Sequence, residues 1–93
     1  MRYTVIWSPE ALGKLADLWS GAADREAISR SAEAIERSLR DDPDRRGEDY
    51  YGDRLLVEVA LAVAYRVIEE DGIADIFDVW SRSMTTRIPD SLR

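Results

Sequence analysis

The chain changes period at Gly52. Before it, apolar residues recur every three to four positions, and from Leu55 to Trp80 they alternate. Leu55, Val57 and Val59 share one face of a first strand of about six residues, and Arg54, Leu56 and Glu58 share the other. A tight connection at Ala60 leads to a second strand, in which Leu61, Val63, Tyr65 and Val67 alternate with Ala62, Ala64, Arg66 and Ile68. Asp71-Gly72 is a hairpin signal, because a primed turn needs positive φ and those residues tolerate it. Ile73 to Trp80 reads as the third strand. Short connections make the three strands an antiparallel meander, whose apolar face needs covering.

The first half of the chain supplies the cover. Tyr3, Val5 and Trp7 alternate with Thr4 and Ser8, and Ile6 makes the second face apolar too, which predicts an internal or covered strand. Ser8-Pro9-Glu10 then offers a capping hydroxyl, a proline suited to the first helical position, and an acid at the positive end of the helix dipole. Leu12, Leu15, Ala16 and Trp19 give that helix one apolar face and a packing role for Trp19, and Ser20-Gly21 ends it. From Ala22 to about Arg40, Ile28, Ala32, Ile35 and Leu39 mark the longest helix. Glu26–Arg30, Glu33–Arg37 and Glu36–Arg40 are acid-before-base pairs on its outer face. Asp41-Asp42-Pro43-Asp44 stops it, and a polar connection follows through Gly47 and Gly52. Arg45, Arg46, Tyr50 and Tyr51 are the one concentration of basic and aromatic side chains in irregular backbone, where binding residues tend to lie.

Composition narrows the chemistry. At 93 residues the chain is one domain. With no cysteine and no histidine, disulfides, thiolate metal sites, cysteine enzymes and histidine-dependent triads are excluded, and no metal-ligand spacing or cofactor motif is present. No apolar run is long enough to span a membrane, so the expectation is a soluble cytoplasmic protein. The net charge of −6 opposes simple nucleic-acid binding. It is concentrated: residues 47–80 carry nine acids against Arg54 and Arg66, a local −7. Twelve of the thirteen basic residues are arginine, so any cation chemistry here rests on guanidinium groups.

Three stretches, "YTVIWSPEALGKLADLW", "LRDDP" and "DRLLVEVALAVAYRVIEEDGIADIFDVWSR", resemble the RelE/ParE toxin superfamily, the toxin half of bacterial type II toxin–antitoxin and plasmid-stabilisation pairs. The likeness covers residues 3–82. It implies an α+β fold: an N-terminal strand, a two-helix hairpin, then a three-stranded antiparallel meander in one sheet packed by the helices. Residues 1–82 are then one domain and residues 83–93 a polar tail.

The resemblance also implies functions. RelE-like toxins cut messenger RNA on the ribosome, which requires cations on the scissile phosphate and groups that move protons. Arg82 fits the position of a C-terminal phosphate-binding arginine, and Tyr65, Arg66 and Arg54 are the other candidate catalytic residues. Arg45, Arg46, Tyr50 and Tyr51 are candidate RNA-binding residues. The chain departs from the pattern in having Ala62 where an arginine precedes the tyrosine by three, and in having Lys14 as its sole lysine. Alternation sets Arg54 and Arg66 opposite Leu55 and Tyr65, with Glu58 or Asp78 as partners for Arg66. The leading reading is therefore a toxin-like component with a depleted or rearranged RNase centre and a cognate antitoxin as partner. The alternatives are an active ribosome-dependent endoribonuclease acting on messenger RNA, a ParE-like inhibitor of DNA gyrase, and a non-catalytic binding or regulatory module, with a homodimer among the expected assemblies.

Overall fold

The computed structural model describes residues 2–82, and the expected tail at residues 83–93 lies outside them. Five strands form one sheet in the order β1-β5-β4-β3-β2. In chain order the elements are β1 (Thr4–Trp7), α1 (Pro9–Gly21), α2 (Arg25–Leu39), β2 (Glu48–Tyr50), β3 (Asp53–Val57), β4 (Leu61–Ile68) and β5 (Ile73–Ser81). The α+β architecture and both helices match the sequence reading, and β2 is an addition to it. Three residues are too few to display alternation, and β2 is defined by its antiparallel pairing with Asp53–Leu55.

Local chemistry sets the helix ends. The Ser8 hydroxyl accepts from the Ala11 N–H at 3.1 Å, with Pro9 in the first turn. Asp24 caps α2 by accepting from the Ala27 N–H at 3.1 Å. Of the three outer-face pairs expected on α2, Glu26–Arg30 and Glu36–Arg40 form, each at 3.5 Å.

Cross-strand register sorts the sheet into two sides. Leu56, Val63 and Val79 stand side by side, as do Arg54, Tyr65 and Ile76, and this side packs on Ile28, Ile35 and Leu39 of α2 and Ala11 of α1. Leu55, Ala64 and Asp78 share the other side with Val57, Ala62 and Trp80. A bulge between Ala64 and Tyr65 leaves Phe77 of β5 as the extra residue. The central strand β4 is buried from Leu61 to Tyr65.

Three local expectations are corrected. β1 pairs in parallel with β5 at the sheet edge and is not internal; its apolar inner face is covered, and the Trp7 indole N–H donates to the Glu36 carboxylate at 2.8 Å. Glu58 and Val59 belong to the β3–β4 turn, not to the strand. That turn is pinned by the buried Ser31 of α2, whose Oγ accepts from the Ala60 N–H at 2.9 Å. The β4–β5 hairpin closes through a 3-10 turn at Glu69–Asp71 with only Gly72 at positive φ (63°), so it is not a two-residue primed turn. The two-residue turn with positive φ at both positions is Tyr51-Gly52, at 51° and 89°. No described helix is long and apolar enough to cross a membrane.

Candidate functional site

Tyr65 is fully buried, and its hydroxyl lies 2.8 Å from the Pro43 carbonyl and 2.7 Å from the Arg46 carbonyl. A phenol has one proton to donate, so it serves the two acceptors in alternation. Arg54 completes the clamp: Nε donates to the Arg46 carbonyl at 2.8 Å and Nη2 to the Gly47 carbonyl at 3.0 Å. Because Arg54 is the direct cross-strand partner of Tyr65, the two share a face; the expectation of opposite faces fails because alternation within one strand does not fix register between two. Burial pushes the Tyr65 hydroxyl above its ordinary pKa, and the neighbouring Arg54 partly offsets that. The phenol is thus held neutral, tied to backbone.

The segment it holds, Pro43 to Gly47, crosses close over β3. Gly47 has φ +66°, and a Cβ there would collide with the Leu55 carbonyl oxygen. Arg45 and Arg46 fold back on the preceding acids, Arg45 Nε at 3.5 Å from Asp42 and Arg46 Nε donating to the Asp41 carbonyl at 3.2 Å.

Arg66 points to the other side of the sheet. Its Nε donates to the Asp53 carboxylate at 3.2 Å, its guanidinium lies 4.9 Å from the Phe77 ring centroid, and Asp75 is its cross-strand neighbour. Its ion-pair partner is thus Asp53 in place of Glu58 or Asp78. Arg82 follows β5 at the opposite end of the strands, where Nη1 donates to the Glu58 carbonyl at 2.6 Å. With Ser81 opposite Leu61 and the Arg82 N–H on the Ala60 carbonyl, Arg82 and Arg66 are six residue steps apart along the strand, about 20 Å.

The structure therefore brings Tyr65, Arg54, Arg46 and the 43–47 segment together; Arg66, turned to the other side of the sheet, lines the same cleft as Tyr65 and Arg54, and Arg82 lies apart from them. A small cleft of about 180 Å³ at Tyr65, Arg54 and Arg66 is also lined by Asp44, Asp49 and Asp53. Three carboxylates against two guanidinium groups oppose a phosphate there. Tyr50 and Tyr51 lie in edge contact, centroids 5.0 Å apart, at the β2–β3 tip. Among the described residues no group of three His, Cys, Asp or Glu side chains is placed to hold a metal ion.

One feature escaped the sequence reading. A largely apolar groove of about 360 Å³ opens between α1 and α2, lined by Leu12, Leu15, Trp19, Ile28 and Ala32. Leu12 is 52% and Trp19 43% exposed. Trp19 is thus not a core residue: it lies against the Arg25 guanidinium, 4.7 Å away, and its indole N–H donates to Ser29 at 3.2 Å. Leu12 and Trp19, seven residues apart on one face, were the available signal, but helical spacing does not distinguish a packed stripe from an open one.

No protein-family model matches the chain, and no curated protein matches it. Solved structures do. A chain of the toxin–antitoxin complex RelBE2 from Mycobacterium tuberculosis aligns with a TM-score of 0.73 at 21% identity, covering 88% of this chain and 100% of that one. A chain of the chromosomal ParDE TA system from P. aeruginosa aligns at 0.66 and 13% identity, covering 88% and 98%. The isolated E. coli RelE toxin aligns at 0.54 and 18% identity, covering 88% of each. The chain has the RelE/ParE toxin fold.

Proposed function

We propose that this chain is the toxin-like half of a type II toxin–antitoxin pair in which the RNase centre of the RelE-like members is depleted. What carries the reading is the engagement of the sheet cations: Arg54 with the Arg46 and Gly47 carbonyls, Arg66 with Asp53, Arg82 with the Glu58 carbonyl. In-line cleavage of RNA needs free cations converging on one phosphate; Arg54 and Arg66 line one cleft but are each held by protein oxygens, and Arg82 stands far from it, so that requirement is not met. Ala62 at the position of the expected arginine agrees with this.

The cognate antitoxin is the partner, and the α1–α2 groove, apolar and open at Leu12 and Trp19, suits one face of an amphipathic helix. A ParE-like role without RNA cleavage is the second reading, favoured by the exposure of Trp19 in the "LADLW" stretch.

The test is expression of the chain alone and together with the product of a neighbouring small reading frame, followed by size-exclusion chromatography. Growth arrest relieved by the partner, with a complex that Leu12→Glu abolishes, is the expected result. Normal growth and no complex would contradict the reading.

A further inference from the structure

The side of the sheet turned away from the helical core carries exposed apolar groups. Register places Ile6 beside Asp75, Asp75 beside Arg66, and Val57, Ala62 and Trp80 in one row. Ile6 and Val57 are exposed, and Tyr51 at the hairpin tip is 94% exposed. Three rings form a line: Tyr51 edge-on to Tyr50, and Tyr50 edge-on to Trp80 at 5.9 Å. Tyr51 sits at a left-handed position that asparagine or glycine adopts more readily, so the fold itself gives no reason for a tyrosine there.

The rings on this side already attract cations. Lys14 Nζ lies 5.6 Å from the Trp80 centroid, and the Arg66 guanidinium is 4.9 Å from that of Phe77. By register Glu48, Asp53, Asp75 and Asp78 share this side. Arg66 pairs with Asp53 and Lys14 with Asp78, so four acids against two cations leave Glu48 and Asp75 in excess.

We infer that this side of the sheet is a docking surface for a basic, extended segment of a protein partner, whose arginine or lysine side chains stack on Tyr50 and Tyr51 and pair with Glu48 and Asp75. Charge complementarity selects the occupant. A nucleic acid brings phosphates to a side with uncompensated carboxylates, whereas a guanidinium gains from both the rings and the acids. The inference goes beyond the toxin reading and is independent of what the α1–α2 groove holds.

Fluorescence anisotropy of the full chain with a labelled octapeptide alternating arginine and glycine tests it, beside the glutamate–glycine octapeptide and a uridine decamer RNA. The arginine peptide binds, and salt weakens it. Tyr51→Asn leaves the charge unchanged, and Asp75→Asn removes one carboxylate; each weakens binding about two- to fivefold, as loss of one exposed cation–π or ion-pair contact does. Tyr51→Asn also melts at or above the wild-type temperature, which separates lost binding from lost folding. Three results would overturn the inference: equal affinity of Tyr51→Asn and wild type, tighter binding of the RNA or the acidic peptide, or no binding of the arginine peptide, as when the chain's own tail or a second copy fills the face.

Discussion

Arg82 closes on Glu58: one guanidinium nitrogen donates to the Glu58 carbonyl at 2.6 Å, while the Arg82 backbone N–H donates to the Ala60 carbonyl at 2.7 Å. The side chain expected from the resemblance to bind phosphate thus fastens the β3–β4 turn to the end of β5. Arg82→Ala should cost about 1 kcal/mol, the net worth of a hydrogen bond from a charged donor at an exposed site. Urea unfolding measures it, and an unchanged midpoint would mean the contact is not held in solution.

Tyr65→Phe removes the hydroxyl and leaves the Pro43 carbonyl without that donor, while the Arg46 carbonyl keeps Arg54. A loss of about 1–3 kcal/mol is expected. The pH dependence carries a sign. Burial raises the folded-state pKa of Tyr65, so between the unfolded value near 10 and the raised one the unfolded chain has lost a proton that the native chain retains. Wild-type stability is therefore complete below pH 10 and falls above it. The fall should be shallower in Tyr65→Phe, with Tyr3, raised in the same direction, supplying the remainder.

Gly47→Ala and Gly13→Ala should move in opposite directions. Gly47 combines positive φ with a blocked Cβ position against Leu55, and its replacement should cost about 3 kcal/mol or more. Gly13 lies inside α1 with open space around its Cβ position, and alanine there should add about 0.5–1 kcal/mol. Thermal melts of the two variants check both signs.

Most of the fold could be read in advance, because its helices and longer strands announce themselves by period and, for α1, by the cap at Ser8; the Asp24 cap of α2 emerged only in the structure. What could not be read depends on partners remote in sequence. β2 exists by pairing with β3, and the faces of Arg54 and Tyr65 follow from a register set by the β3–β4 turn. The candidate site was legible only as residue types. Tyr65, Arg54, Arg66 and Arg82 are where their strands put them, but their engagement with backbone carbonyls and Asp53 involves atoms the sequence does not single out. The apolar face of α1 was likewise visible, and its exposure was not.

Glu69 offers a charge test of the acidic region. Asp44 beside it, chiefly through a shared hydrogen bond and then through repulsion, raises its pKa above the ordinary glutamate value. For a raised carboxyl the favourable contribution is complete below the unfolded pKa near 4.5 and is lost as pH rises through the folded value. Glu69→Gln should therefore raise the melting temperature at pH 7 and lose that advantage below about pH 4.5. Equal melting temperatures at pH 7 would show that the two carboxylates do not meet.

Primer extension on a reporter message translated in a cell-free bacterial system, with wild-type protein and the Arg66→Ala and Arg82→Ala variants added in parallel, tests the depleted centre most directly. Arginines already committed to Asp53 and to the Glu58 carbonyl predict an intact message in all three reactions. Discrete ribosome-dependent cuts with the wild type that vanish in either variant would contradict the account and place that arginine at the scissile phosphate.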